Sequence, residues 1–177
     1  MKRVLSIFCF VAMTVSAQAQ VDTLTSGEDQ FTAGASYQKQ YSAEHDVFAV
    51  GNVVSASGTV AGDVHVAGYD VDVSARTGAD LYAMGATVKV GANVVEDLTV
   101  MGYSVGLENG ATVGDNARII GQTVRIDGIV SGTLTASGAQ VIVNGQINGD
   151  ATIYASRITF GPDAKIAGQL TYASETP

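Results

Sequence analysis

The sequence predicts an all-β fold, a right-handed parallel β-helix (β-solenoid) of about seven coils with 17 to 19 residues per coil. Three observations predict it. Residue types recur every 17 positions, apolar residues within each repeat are spaced by two, and the chain has 21 glycines but only 2 prolines. A short strand cannot bury one face alone, so such repeats must stack on one another to share a core.

The composition limits the classes of partner. The chain has 177 residues and a formal net charge of −8, and its 46% hydrophobic content is too high for a wholly disordered protein. Lysine and arginine together number 9, against 17 aspartates and glutamates. Nucleic-acid binding relies on a basic surface, so no nucleic-acid partner is expected.

Residues 1–19 have the pattern of a secretory signal peptide. Lys2 and Arg3 precede an apolar run over 4–15, and the Ala-Gln-Ala sequence at 17–19 is a small-residue cleavage site. The run is shorter than the roughly 20 residues that a membrane-spanning helix needs, and an uncleaved N-terminal anchor is the alternative. We therefore expect an exported protein, located in the periplasm or cell envelope or secreted.

The segment that follows the signal is polar. Residues 20–45 contain only isolated aromatic residues, and we interpret them as a polar linker or an N-terminal cap. The β-helix domain is expected over 46–174, with a short tail at 175–177.

The repeat defines the domain. Its units begin at Asp46, Asp63, Asp80, Asp97, Asn116, Thr133 and Asp150, with a partial unit from Gln169. The clearest apolar column, at the ninth position, is Val54, Val71, Val88, Val105, Val124, Val141 and Ile158. Apolar residues two positions apart share one face of a strand, and β-branched residues favour strands. Each unit therefore carries three short strands, separated by turns rich in Gly, Asn and Asp.

The spacing also bears on the hand of the coil. A left-handed hexapeptide helix would place an apolar residue at every sixth position, whereas the apolar spacing here is uneven (2, 5, 2 and 4). This difference favours the right-handed form.

Three segments of the repeat resemble a known family. They are Asp63-Val64-His65-Val66-Ala67-Gly68, Asp80-Leu81-Tyr82-Ala83-Met84-Gly85 and Gly145-Gln146-Ile147-Asn148-Gly149-Asp150. The pattern over 46–174 resembles the bactofilin-like, polymer-forming cytoskeletal proteins of bacteria. The resemblance implies a right-handed β-helix that polymerises end to end without nucleotide, often near the membrane. The predicted export signal departs from the cytoplasmic members of that family.

The aspartate column is the most suggestive polar feature. Asp46, Asp63, Asp80 and Asp97 are expected to stack along one edge of the solenoid, where neighbouring carboxylates repel each other. A divalent cation such as calcium would relieve this repulsion, which makes the four residues weak metal candidates. The alternative is that each aspartate caps a turn through its own backbone amide.

No catalytic motif stands out, so we expect neither an enzyme nor a cofactor. Residues 102–106 match the G-x-S-x-G string, but no helical pattern follows them, and His45 and His65 both lie upstream. Cys9, the only cysteine, lies in the predicted signal. The turns are too short to build a polysaccharide-cleaving groove, so such an enzyme is a weak alternative.

A set of large apolar residues lies in columns next to the inward ones. They are Phe48, Val50, Tyr69, Tyr82, Met84, Met101, Tyr103 and Ile120. They form either an exposed apolar stripe that binds a partner or the packing of a corner of the coil.

The two ends of a solenoid expose unpaired strand edges and an open core. Coil edges are therefore expected to pair between molecules, with contacts from Phe48 and Val54 at one end and from Phe160, Ile166, Leu170 and Tyr172 at the other. The main hypothesis is a self-assembling structural scaffold of the cell envelope, whose partner is a second copy of the chain. The other hypothesis is a binding module for an envelope glycan or for a surface or membrane-associated protein.

Overall fold

A computed structural model describes residues 21–176 of the protein as one continuous β-solenoid. The predicted signal peptide lies outside these residues. Every regular element in the described part is a β-strand, and no helix there is long and apolar enough to span a membrane. The strands are β1 (Asp22–Ser26), β2 (Asp29–Ala43), β3 (Val47–Val60), β4 (Val64–Ala67), β5 (Asp70–Val73), β6 (Arg76–Thr77), β7 (Leu81–Val90), β8 (Asn93–Val94), β9 (Leu98–Leu107), β10 (Thr112–Val113), β11 (Ala117–Ile126), β12 (Ile129–Val130), β13 (Leu134–Val143), β14 (Gln146–Ile147), β15 (Ala151–Phe160), β16 (Lys165–Ile166) and β17 (Leu170–Thr176).

The strands wind into about nine coils that stack in parallel. Coil 1 is β2, coil 2 is β3, coil 3 is β4 to β6, and coils 4 to 8 each contain one long and one short strand. Coil 9 is β17 alone. Equivalent residues of successive coils pair directly, as Leu81 does with Leu98 and Leu134 with Ala151. The predicted all-β stack of coils is thereby confirmed.

The coil number differs from the prediction of about seven for two reasons: the solenoid begins one coil before Asp46, and the partial unit from Gln169 forms coil 9. Residues 20–45 were expected to form a linker or a cap, but β2 pairs in parallel with β3 over its whole length and forms a coil of its own. In addition, β1 folds back antiparallel on the first residues of β2, with Asp22 opposite Ala33. At the other end, β17 runs on into the expected tail as far as Thr176.

The core is one continuous cluster of mainly aliphatic side chains that runs through the whole stack of coils. Positions 2, 4, 9, 11 and 15 of each coil point inward, as the spacing by two requires. The largest of these side chains, such as Leu98, Ile119 and Ile147, are completely buried. Each contributes about 1.5–3 kcal/mol by leaving water, so the stack as a whole supplies stability that one coil lacks.

The glycine column at position 6 has a steric cause. A Cβ on Gly68 would lie 2.8 Å from the carbonyl oxygen of Gly51 in the coil before it, and one on Gly102 would lie 2.7 Å from that of Gly85. In coils 2 to 7 the backbone of the preceding coil lies too close at this position for a side chain, whereas Ala155 and Ser174 occupy it in coils 8 and 9. The column therefore fixes where each coil bends.

Candidate functional site

The aspartate column forms a hydrogen-bonded ladder between coils. Oδ1 of Asp46 accepts a hydrogen bond from the backbone N–H of Asp63 at 2.9 Å, and Asp63 and Asp80 repeat this contact with the N–H of the next aspartate. The ladder begins at Asp29 and continues through Asp97 to Asn116. The turn-cap alternative was therefore wrong in one respect, because each carboxylate caps the following coil and not its own turn.

The second carboxylate oxygen of two of these aspartates also has a partner. The Tyr82 hydroxyl donates to Oδ2 of Asp80 at 2.8 Å, and Arg118 Nη1 donates to Oδ2 of Asp97 at the same distance. The hydrogen bond from Arg118, together with the N–H of Asn116, holds the pKa of Asp97 below its usual value. Each carboxylate of the aspartate column therefore accepts hydrogen bonds from neighbouring N–H or O–H groups, and these bonds lower the repulsion between the carboxylates.

The aspartates do not form a recognisable metal centre. Within residues 21–176, no group of three or more His, Cys, Asp or Glu side chains is placed to hold a metal ion. Because every Oδ1 from Asp46 to Asp97 already accepts a backbone N–H, a cation would have to compete with these hydrogen bonds or bind chiefly through the Oδ2 atoms. The geometry gives these four residues a structural role, and calcium binding by them stays a prediction.

A ladder of stacked rings runs along the outer surface, two positions after the aspartate column. The rings of Phe31, Phe48, His65 and Tyr82, at position 3 of coils 1 to 4, have centroids 4.8, 4.6 and 4.9 Å apart. Their planes deviate from parallel by 7°, 3° and 2°, so the four rings form one regular stack. Each ring covers the faces of its neighbours, and offset stacking of this kind adds to the stability of the first four coils.

The ring ladder forms one wall of a groove of about 990 Å³ on coils 1 to 5. Outward side chains at position 5, among them Val50, Ala67, Met84 and Met101, line its other side, and Leu24 of β1 lies at one end. The groove offers few polar groups, whereas glycans are bound through many hydrogen bonds. Its lining therefore fits an apolar occupant better than an envelope glycan.

The outward apolar residues form an exposed stripe, and the corner-packing alternative is wrong for most of them. Met84 is 56% exposed, and Val50, Tyr69, Met101, Tyr103 and Ile120 are exposed as well. Phe48 is half-buried by the rings on either side of it. The stripe lies on the side of the coils that carries positions 3 to 7, which we call the front face.

The predicted assembly residues separate into two groups. At the C-terminal end, the inward column is left uncovered: Phe160 is 45% and Tyr172 57% exposed, and Ile166 and Leu170 are only partly buried against the core. At the N-terminal end, the placement of two residues was wrong. Coil 1 covers Val54, which is buried in the core, and Phe48 belongs to the ring ladder.

The N-terminal end is closed by polar and aromatic side chains of coil 1. Tyr37 and Tyr41 occupy the end of the core, and the Tyr37 hydroxyl donates to the carbonyl oxygens of Thr32 and Val50 at 3.3 and 3.4 Å. Lys39 Nζ donates to Thr23 and Thr32, and it lies 4.9 Å from the centre of the Tyr41 ring. Burial raises the pKa of Tyr37 and lowers that of Lys39.

The G-x-S-x-G string carries no catalytic geometry. It lies within strand β9, where Val105 is buried in the core, and the chain continues into β10 without a helix. His65 is a member of the ring ladder, and His45 contacts Glu28. None of these residues is brought together with the others.

Sequence reasoning missed coil 1 and the ring ladder. A signal for coil 1 was present, because Asp29, Gly34 and Ala43 lie 17 residues before Asp46, Gly51 and Val60. It was obscured by Gln30, Thr32 and Lys39, which occupy positions that are apolar in later coils. The ring ladder needed the register of coil 1 before its first member could be placed.

Comparison with known proteins finds no matching family model, no matching curated protein and no matching solved structure. The resemblance to bactofilin-like proteins thus depends on the repeat alone.

Proposed function

We propose that this chain is a self-assembling structural scaffold of the bacterial cell envelope, in which solenoids join end to end without nucleotide. The observation that carries the proposal is the uncovered core at the C-terminal end. Phe160 and Tyr172 occupy columns that are fully buried in earlier coils, yet about half of each side chain is exposed. Covering such side chains with another coil removes apolar surface from water.

The backbone supports the same mode of joining. Coil 9 pairs with coil 8 on one side, and among the described strands none pairs with its other side. A parallel or antiparallel strand of a second molecule would satisfy these N–H and C=O groups. At the N-terminal end, β1 covers only 29–33, so the rest of the β2 edge offers a second, more polar contact.

Two variants of the full chain test this proposal. Phe160→Asp places a charge in the end contact, and we expect it to abolish filaments or dimers, because an unpaired carboxylate would be buried there. Thr159→Asp is the matched control, since Thr159 is the adjacent residue and lies on the outer surface. Assembly is measured by electron microscopy and analytical ultracentrifugation, with urea unfolding to verify that both variants fold.

The outcomes separate the functions. Filaments or dimers that Phe160→Asp removes and Thr159→Asp retains would support the scaffold. A chain that stays monomeric at high concentration, or an assembly that survives Phe160→Asp, would refute joining through the C-terminal end.

A binding module is the second candidate, and the apolar groove on coils 1 to 5 favours it over an enzyme. Its occupant would be apolar in character. Binding to envelope fractions that Met84→Asp removes, in a chain that does not assemble, would favour the module over the scaffold.

A further inference from the structure

The front face of the solenoid has a pattern that is complementary to itself. Its two outward columns are at position 3 (Phe31, Phe48, His65, Tyr82, Thr99, Arg118, Thr135, Thr152, Thr171) and at position 5 (Ala33, Val50, Ala67, Met84, Met101, Ile120, Ser137, Tyr154, Ala173). In the first column the rings belong to coils 1 to 4, and threonines occupy coils 7 to 9. In the column at position 5, large and small side chains follow one another without a fixed period.

We propose that two copies of this chain pack face to face through the front face, with their coil orders reversed. The two-fold axis runs parallel to the strands, between coils 5 and 6, so that coil 4 of one copy faces coil 7 of the other. This lateral contact is distinct from the end-to-end joining proposed above.

The proposed register places a small side chain opposite most of the large ones at position 5. The exception is the pair beside the two-fold axis, where Met101 of coil 5 faces Ile120 of coil 6. At position 5, Ala67 faces Tyr154 of the second copy, Met84 faces Ser137, and Val50 faces Ala173. At position 3, the rings of Phe48, His65 and Tyr82 face Thr171, Thr152 and Thr135 of the second copy. A register shifted by one coil in one direction would put Met84 against Ile120, Val50 against Tyr154 and Met101 against its own copy. A shift in the other direction would put Met84 against Tyr154 and Ile120 against its own copy. The proposed register therefore has the fewest contacts between large side chains.

The geometry of the face suits a second solenoid better than a partner of another shape. The rings at position 3 of the first four coils are nearly parallel and evenly spaced, so this column forms a regular row against which the regular row of a second solenoid can pack. Two copies share the same coil spacing of about 4.8 Å, so each coil of one stays opposite a coil of the other along the whole contact. The groove above Ala67 would receive Tyr154 of the second copy.

The charge of the front face and the area it could bury both agree with a second copy of the chain as its partner. The chain carries a net charge of −8, yet the two columns contain no carboxylate, and their only side chains that carry charge near neutral pH are His65 and Arg118. Two acidic molecules can therefore bring these two columns together without opposing carboxylates within them. Eight facing coils give a patch of roughly 35 by 15 Å on each copy, or about 1,000 Å² in total, which is near the lower limit for a specific interface.

The projecting hairpin does not obstruct the contact. Strand β1 extends the sheet beyond coil 1, and in the proposed register coil 1 already lies past coil 9 of the second copy. Leu24 and the hairpin would therefore flank the end of the partner solenoid without overlapping it.

Cross-linking tests the register directly. In a full chain that carries Cys9→Ser, the pair Met84→Cys and Ser137→Cys lies three coils apart, about 14 Å within one molecule, which is too far for a short bismaleimide to bridge. We expect this pair to give covalent dimers in high yield. The matched control is Lys89→Cys with Ile142→Cys, which occupies the same two coils at position 10 on another side and should remain monomeric.

Two further variants separate the possible results. Met84→Cys alone should give no covalent dimer, and efficient dimers from it would indicate equal coils facing each other and overturn the register. Met84→Asp should weaken the dimer by about tenfold or more in sedimentation, because it places a carboxylate in the contact. Gln140→Asp, on a polar side, should leave the dimer unchanged.

Two other experimental results would overturn face-to-face pairing. Dimers that only Phe160→Asp disrupts would overturn lateral pairing and support joining through the ends. Monomers that bind phosphatidylcholine vesicles through the face, with binding lost in Met84→Asp, would identify a lipid surface as the occupant and overturn pairing between copies. Since Met84 is more than half exposed, a folded Met84→Asp variant is expected, and urea unfolding verifies it.

Discussion

The two ends of the solenoid are built from the same repeat but leave the core in opposite states. At the N-terminal end, tyrosines, Lys39 and Thr32 replace the aliphatic residues, and the hairpin of β1 lies against the first coil. At the C-terminal end, Phe160 and Tyr172 keep the apolar character of the inward columns but have no coil above them. The comparison indicates that the side chains of a terminal coil, and not the repeat itself, decide how much of the core is exposed at that end.

The largest expected difference in the free energy of unfolding is between a core substitution in a middle coil and one at the C-terminal end. Leu98→Ala should lower the free energy of unfolding by about 2–5 kcal/mol, because Leu98 is fully buried between two coils and leaves a cavity. Leu170→Ala in coil 9 should cost clearly less, since this side chain is already in part exposed. Urea unfolding at a concentration where the chain is monomeric measures both. Equal losses would mean that the C-terminal end is covered in solution.

A second comparison examines the closed end. Tyr37→Phe removes the hydroxyl that donates to two carbonyl oxygens, and it should cost about 1 kcal/mol in the free energy of unfolding. Tyr172→Phe, its counterpart at the open end, should change stability little, because Tyr172 is 57% exposed. A larger loss from Tyr172→Phe would show that the hydroxyl at the C-terminal end has a structural partner.

The same tyrosine predicts an alkaline limit. Burial raises the pKa of Tyr37, so the stability it contributes is complete below the unfolded value of about 10. That stability is lost as the pH rises further, since the unfolded chain then ionises while the folded chain resists. Unfolding midpoints from pH 8 to 11 should fall for the parent chain, and the fall should be smaller in Tyr37→Phe. Parallel curves would contradict this assignment.

A smaller effect is expected at the aspartate corner in acid. The pKa of Asp97 is lowered chiefly by Arg118, so its contribution is present above the unfolded value of about 4 and is lost as the pH falls through the folded value. Asp97→Asn should reduce the loss of stability between pH 5 and 2, and by at most about 1 kcal/mol, because the pair with Arg118 is partly exposed. Asp150→Asn, nearer the open end, is the matched control.

The smallest change is expected from calcium. The Oδ1 atoms of the aspartate column already accept backbone N–H groups, so millimolar calcium should leave the melting temperature nearly unchanged. A rise of several degrees that a chelator reverses, and that Asp63→Asn and Asp80→Asn remove, would establish a cation ladder on the Oδ2 atoms.

Much of the fold could be predicted because its energetics repeat along the chain. The column from Val54 to Ile158 recurs at intervals of 17 residues, with one interval of 19, and only stacking buries it. Coil 1 escaped this reasoning because Gln30, Thr32 and Lys39 break the apolar pattern that identifies the other coils. A terminal coil has neighbours on one side only, so its core positions tolerate polar residues and the periodic signal weakens.

The candidate sites were less accessible to prediction. The sequence placed the aspartates in one column but could not show that Oδ1 of each one reaches the N–H of the next coil. It placed Phe48 and Val54 in the first coil, whereas the structure has one more coil before them. These errors share a cause, because the partner of each group lies about 17 residues away in sequence and is fixed only by the register.

The sequence by itself determined the repeat, the inward columns and the stacking of coils, since alternation along a strand and burial of apolar residues are local rules that every unit obeys. Only the tertiary structure decided where the solenoid begins, which end is left open, and that the rings of coils 1 to 4 stack beside an apolar groove. Those features depend on which side chains face solvent after the coils are stacked, and contacts between coils, not the pattern within one of them, fix that outcome.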